Sequence, residues 1–202
     1  MRSKETGRLL PLLGGNLCLD FVNTVDPRLK EPREEFLTNY RQLIEWGAFV
    51  GLIDPAQRNK LVRRSLAKPA AAAATFKRAI GVREALYDLL RNRNSTSGAL
   101  MAVNAELSQT FVQRRLEPIR GGYLVRWQPW AEILGPVLES AQALLTSKEL
   151  ALVRECAGHG CGWLFIDTSR GHKRRWCSMA ICGNRAKAQR NRRRKLVTGS
   201  KN

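Results

Sequence analysis

Apolar positions three and four residues apart dominate the chain up to about residue 145, and that spacing predicts a succession of helices. Gly14-Gly15-Asn16 opens a compact segment, Leu17 to Thr24, that reads as a short helix capped near Asn16. Pro27 and Pro32 break the next stretch into a loop. Thr38 is the expected N-cap of a helix running to about Ile53, with Tyr40, Leu43, Ile44, Gly47 and Val50 on one face. Asp54-Pro55 supplies a cap followed by proline at the first helical position, so a second helix should run to about Ala67. Pro69 and the alanines at 70–74 lead into a longer helix carrying Phe76, Ala79, Val82, Leu86, Leu89 and Leu90. A polar break from Asn92 to Gly98 separates it from a helix marked by Leu100, Val103, Leu107 and Phe111.

The period then changes. Ile119 to Leu124 reads as a hairpin turning on Gly121-Gly122, because glycine takes the positive φ of a primed turn without strain. Tyr123, Val125 and Trp127 alternate onto one face of its second strand, which Pro129 closes. Ile133, Leu134, Val137, Leu138, Ala141, Leu144 and Leu145 then form a strongly amphipathic helix ending near Ser147. Residues 1–13 read as a flexible lead-in. The fold class is therefore mainly α: a helical N-terminal domain with one β-hairpin over 1–150, followed by a small module over 151–202.

Composition changes this picture only at the C-terminal end. A 44% hydrophobic content is ordinary for a globular chain, but 35 Lys and Arg against 17 acids give a net charge of +18. From Arg154 onwards there are thirteen Lys and Arg and only two acids, so more than half of the excess sits in the last quarter. Such a surface attracts polyanions, nucleic acid before anionic membrane or acidic protein. No apolar run approaches the roughly 20 residues that span a bilayer, and Leu9 to Leu13 is too short for a signal-peptide core. A cytoplasmic location is expected, where clustered cysteines serve as ligands more readily than as disulfides.

The cysteines read Cys156-x4-Cys161-x15-Cys177-x4-Cys182. Two close pairs separated by a loop are what a tetrahedral site requires, and glycines at 158, 160, 162 and 183 allow tight turns around sulfur. Four thiolates form a closed shell with no open position for water, so one structural zinc is expected rather than a catalytic one. The competing readings are four buried free cysteines or two disulfides. His159 or His172 could replace a cysteine as ligand, although both read as surface loop residues; Cys18 reads as a buried, inert thiol. Between the pairs, Trp163 to Asp167 looks like a strand, Thr168 to Gly171 like a turn, and Lys173 to Trp176 like a return strand. With a helix from about Ser178, this order of knuckle, hairpin and helix resembles a treble-clef zinc site.

Seven of the twelve residues from Asn184 to Lys195 are basic and none is acidic. Arg185, Lys187, Arg190, Arg192, Arg193, Arg194 and Lys195 surround a helix rather than lining one stripe, so it cannot be a core helix. Arg170, Lys173, Arg174 and Arg175 add a second cluster. These residues, with Asn184, are the candidate nucleic-acid contacts, on phosphates and on base edges. Duplex DNA is the first candidate partner, structured RNA or an acidic protein the alternatives, and a purely solvated tail the bland reading.

The segment Cys161-Gly162-Trp163-Leu164-Phe165-Ile166-Asp167-Thr168-Ser169, continued by Arg174-Arg175-Trp176-Cys177-Ser178-Met179 and Cys182-Gly183-Asn184-Arg185, resembles the CGNR zinc-finger family. Upstream, Gly14 to Thr24 resembles the start of the ABATE domain that precedes this finger in bacteria. The resemblance implies zinc at the four cysteines and a role as a stress-responsive transcription regulator. In the upstream domain, Asp20, Asn23, Thr24 and Arg28 admit two readings: a polar cluster lining a pocket for a small-molecule effector, or hydrogen bonding inside a helical core. No nucleophile–base pair or phosphate-cradling glycine loop is present, so an enzyme is not expected.

Overall fold

The computed structural model describes residues 1–2, 7, 9–92, 97–128 and 130–199, the side chains of residues 97 and 193–199 excepted. Most of the 92–98 break, Pro129, and the side chains of Arg193, Arg194 and Lys195 fall outside the described residues.

The chain begins its core earlier than expected. Leu10 is buried and its N–H donates to Met1 O at 3.0 Å, so the described part of the lead-in is packed, not free. Helix α1 (Leu17–Val22) is capped by Asn16, whose side chain accepts from Cys18 N. It is followed by a minimal antiparallel pair, β1 (Val25–Asp26) with β2 (Glu34–Glu35). The cap of α2 (Tyr40–Phe49) is Asn39 rather than Thr38, because Asn39 Oδ1 lies 3.0 Å from Gln42 N, three residues on. The helix also stops short of Ile53: Gly51 takes a φ of +78°, and Leu52 N returns to Gly47 O at 2.9 Å. Helix α3 (Pro55–Ala67) opens on a reciprocal box, Gln57 N to Asp54 Oδ1 at 2.8 Å and Asp54 N to Gln57 Oε1 at 2.9 Å.

Helix α4 (Pro69–Arg91) starts at the proline itself and is the spine of the domain, burying Ala79, Val82, Leu86 and Leu90. Helix α5 (Ser97–Phe111) leads into β3 (Arg114–Ile119) and β4 (Gly122–Trp127). Their register pairs Ile119 with Gly122, so the two-residue turn is Arg120-Gly121, one position before the expected Gly-Gly. Only one residue of the expected strand face reaches the core. Trp127 is buried against Phe111, ring centroids 5.8 Å apart, and over Gly135, whereas Tyr123 and Val125 are exposed. Helix α6 (Leu134–Leu145) is the amphipathic helix expected, and a 3₁₀ turn (Lys148–Leu152) carries the chain onward.

The C-terminal module contains β5 (Val153–Glu155), β6 (Leu164–Ile166), a wide π-type turn (Met179–Gly183) and α7 (Asn184–Gly199). Its hairpin is not the one expected. Strand β6 pairs with β5, before the first cysteine, and Lys173 to Trp176 form no strand. The reason is that the other edge of β6 is already taken: Ile166 N donates to Gly14 O at 2.9 Å, and Asn23 bonds both Leu164 N and Leu164 O. Leu164, Phe165 and Ile166 are buried in one hydrophobic cluster with α1, α4 and α6, so the core is continuous across residue 150. Among the described residues, no helix is long and apolar enough to cross a membrane.

A four-cysteine metal centre and its basic surroundings

The sulfurs of Cys156, Cys161, Cys177 and Cys182 lie within 4.8 Å of one another, and all four residues are buried. A tetrahedral zinc with Zn–S near 2.3 Å needs sulfurs about 3.8 Å apart. The edges Cys161–Cys177 and Cys177–Cys182 are 3.8 and 3.7 Å, so the cage has the size of that ion. Backbone N–H groups of Gly158 and Cys177 point at Cys156 Sγ, at 3.4 and 3.3 Å, and spread its charge. The four cysteines can therefore hold one zinc ion. Neither histidine joins them: His159 is exposed, and His172 Nδ1 sits 2.9 Å from Asp167 O. Cys18 is buried apart from the cluster, and burial pushes its thiol up to about 12.

The first knuckle is held from outside the module. Arg28 N donates to Cys161 O at 2.8 Å and Leu29 N to Gly160 O at 2.9 Å. This contact is why glycines stand there. Gly160 and Gly162 have φ of +74° and +67°, and a Cβ on them would lie 2.7 Å from Lys30 Cβ and 2.6 Å from Leu29 Cγ. Trp163 Nε1 donates to Val25 O at 2.9 Å and Tyr87 Oη to Gly162 O at 3.1 Å. On the loop between the pairs, Asp167 is the organiser. It accepts from Ser169 N and Oγ at 3.0 and 2.6 Å and from Arg174 N at 2.9 Å. Burial works to raise its pKa, but these donors hold it below the ordinary carboxylate value.

The basic residues divide into two groups. Arg170, Lys173, Arg175, Arg185, Lys187, Arg190 and Arg192 are exposed. Arg174 is not free for a partner: its guanidinium lies 4.4 Å from the Phe165 ring centre, with Nε on Trp176 O at 2.9 Å and a further bond to Cys177 O. Asn184 spends its amide on Ala180 O at 3.2 Å, within the turn that leads into α7. Cys182 lies in that turn, so the basic helix leaves directly from the metal cage.

The polar residues upstream are tied into the fold. Asn23, Thr24 and Arg28 are buried, and each is bonded internally: Asn23 to Leu164, Thr24 Oγ1 to Phe21 O, and Arg28 to Val22 O and Glu84. Arg28 also stacks 4.1 Å over Tyr87. Sequence reasoning missed the partners that complete this network. Arg83, almost fully buried, pairs with Glu35 and Glu84 at 2.7 and 2.8 Å and donates to Thr24 Oγ1 at 3.1 Å.

Asp20 accepts from Gly14 N at 2.8 Å, and burial raises its pKa from the ordinary value to about 6 against the pull of the Gly14 and Leu13 hydrogen bonds. Below pH ~4 the carboxyl keeps its proton in both folded and unfolded chains and has no effect. As pH rises from about 4 to about 6, the unfolded chain ionises first and stability falls, by roughly 3 kcal/mol in all. Asp20→Asn keeps an acceptor for Gly14 and is expected to remove that slope. Urea unfolding should place the variant level with the wild type at pH ~4 and up to roughly 3 kcal/mol above it at pH ~8.

Residues 153–195 match the family model of the CGNR zinc finger. Residues 15–148 match the ABATE model, whose description is "Putative stress-induced transcription regulator". No curated protein matches the chain. With a helical domain ahead of a four-cysteine cage and a basic helix leaving it, the chain belongs to the ABATE family and carries a CGNR zinc finger.

Proposed function

We propose that this protein is a cytoplasmic regulator of transcription that binds duplex DNA through α7, has no enzymatic activity, and uses zinc to aim that helix. One observation carries the reading: Arg185, Lys187, Arg190 and Arg192 are exposed on a helix that begins one residue after Gly183, itself next to the last cysteine. A cationic helix fixed at its root presents its charges to phosphates at a defined angle, which a free tail does not. Arg170, Lys173 and Arg175, exposed on the loop between the cysteine pairs, add a second set of phosphate contacts. Knuckle, short hairpin and helix around the cage support a treble-clef arrangement, and the family's description supports action under stress.

Duplex binding across a salt series checks this. Affinity should fall by roughly 0.9 log units per log unit of salt for each phosphate neutralised. Replacing Arg185, Lys187 and Arg190 together by alanine should lower affinity at least tenfold and flatten that slope by about three such increments, without loss of zinc. Undetectable binding of zinc-loaded protein at low salt would exclude the reading. Stronger binding to structured RNA or to a polyacidic peptide would move the partner to that class.

A second reading, regulation by a small-molecule effector, draws on a cavity of about 250 Å³ beside the cage. It is bounded by Leu9, Pro11, Leu13, Trp163 and Ile181, with Arg185 at its edge. A thermal-shift screen should use the whole chain, because the core crosses residue 150.

A further inference from the structure

We propose that the face formed by α5, α6 and the β3–β4 hairpin joins two copies of this chain in a closed two-fold dimer. The hairpin is amphipathic in a way its own chain does not use. Its register places Leu116 opposite Val125, Pro118 opposite Tyr123 and Arg114 opposite Trp127 on one face, while Arg115, Arg126 and Glu117, with Leu124 and Ile119 towards the turn, alternate onto the other. Trp127, on the same face as Leu116 and Val125, packs against Phe111 at the end of α5 and over Gly135 in α6. The apolar face is therefore the one turned towards α5 and α6, yet Leu116 and Tyr123 remain 70% and 74% exposed. An apolar strand face without a layer beneath it is the arrangement that a packing partner completes.

The same side of the molecule carries a groove of about 790 Å³ lined by Leu100, Val103, Leu107, Phe111, Val112 and Leu145. Val112, 81% exposed, lies between this groove and the base of the hairpin. Hairpin and groove thus form one apolar surface. The exposed parts of Leu100, Val112, Leu116, Tyr123 and Val125 amount to on the order of 600 Å² per copy, most of the ~800 Å² per partner of a standard stable interface.

Two features select a second copy as the occupant. A projecting arm and a groove on one face are self-complementary under a two-fold axis, since each arm can fill the other's groove. Charge points the same way. The chain carries 35 Lys and Arg in 202 residues, yet α5 and α6 contain none. Of their two acids, Glu106 is paired with Arg78 and Glu139 with Arg114. The groove's polar lining is neutral: Asn104, Ser108, Gln142 and Thr146. The hairpin does carry cations, but Arg114 is paired with Glu139 and Arg126 with Glu117, and Arg115 lies on its opposite face, so the α5–α6 side of this +18 protein offers a second copy little like charge and a polyanion no cation on these helices.

Sedimentation equilibrium on the full, zinc-loaded chain between about 1 and 100 µM tests this. A mass of twice 22.8 kDa is expected for the wild type. Leu116→Glu with Tyr123→Glu should weaken association at least ~100-fold, as should Val112→Glu, which reads the groove side independently of the hairpin. Leu66→Glu, equally exposed but on α3, should leave the dimer intact. Both hairpin positions are solvent-exposed, so far-UV circular dichroism and zinc content should match the wild type. A wild-type mass of 22.8 kDa across the range, dimers that survive both the hairpin and the Val112 substitutions, or masses that grow beyond two copies would each overturn the proposal.

Discussion

Removing zinc with a chelator, or replacing any one of Cys156, Cys161, Cys177 and Cys182 by serine, is expected to unfold the C-terminal module and weaken the helical domain with it. The module has little else to hold it. Among the described residues of the module, the buried apolar side chains other than the cysteines are Val153, Trp163, Leu164, Phe165 and Ile166, and the described side chains of the basic helix add none. A structural zinc supplies about 10–16 kcal/mol of binding free energy in small modules, as much as the whole stability of an ordinary domain. Loss of the cage frees the Cys161 and Gly160 carbonyls that hold Arg28 and Leu29, and the Trp163 indole that holds Val25. Damage therefore passes into the loop after α1. Elemental analysis should find one zinc per wild-type chain. Urea unfolding should show the midpoint of each serine variant reduced by several kcal/mol equivalents, with Trp163 signals lost first. Cys18→Ser is the control and should keep its zinc. A chelated protein that unfolds like the untreated one would show that the cage is not a metal site.

Much of this architecture is legible in the sequence wherever the determining contacts are local. The Asp54–Gln57 box and the Asn16 cap act over two or three residues, so they can be read from spacing. The cysteine pairs are legible for the same reason, because each needs only one turn. Helix ends and turns shift by one to four positions where two candidates are adjacent. Asn39 competes with Thr38 as a cap, Arg120-Gly121 with Gly121-Gly122 as a turn, and Gly51 ends α2 before its apolar stripe ends.

Pairing across long separations is not legible. No local signal says that the free edge of β6 is consumed by Gly14 and Asn23, so a return strand at 173–176 looks as natural as the true partner before Cys156. Arg83 carries no signal at all. It shares its helix with the exposed Lys77, Asp88 and Arg91, and only the fold places Glu35, 48 residues away, against it. Arg174 reads as one of a run of cations because a run looks uniform. Its partial burial follows from the Phe165 ring and the Trp176 and Cys177 carbonyls, which face its guanidinium only in the folded module.

Asn23→Ala is expected to cost about 3–5 kcal/mol of stability, because one side chain completes two backbone groups at once. Asn23 Nδ2 donates to Leu164 O at 2.8 Å, Asn23 Oδ1 accepts from Leu164 N at 3.0 Å, and the residue is 1% exposed. Alanine leaves both Leu164 groups buried without their side-chain partner, and each orphan costs about 1–3 kcal/mol. Asn23→Asp is no remedy: it restores the acceptor, loses the donor, and places a charge against a carbonyl. In a chain of this length the alanine variant's melting midpoint should fall by roughly 8–15 °C. Zinc content should stay at one per chain, since no cysteine bond passes through Asn23. This pairing of outcomes separates the two roles considered for the polar cluster. A residue lining an effector pocket would change ligand-induced thermal shifts while leaving the unliganded melting temperature nearly untouched. A residue that fastens the zinc module to α1 lowers that temperature with no ligand present, and the two bonds to Leu164 put Asn23 in the second case.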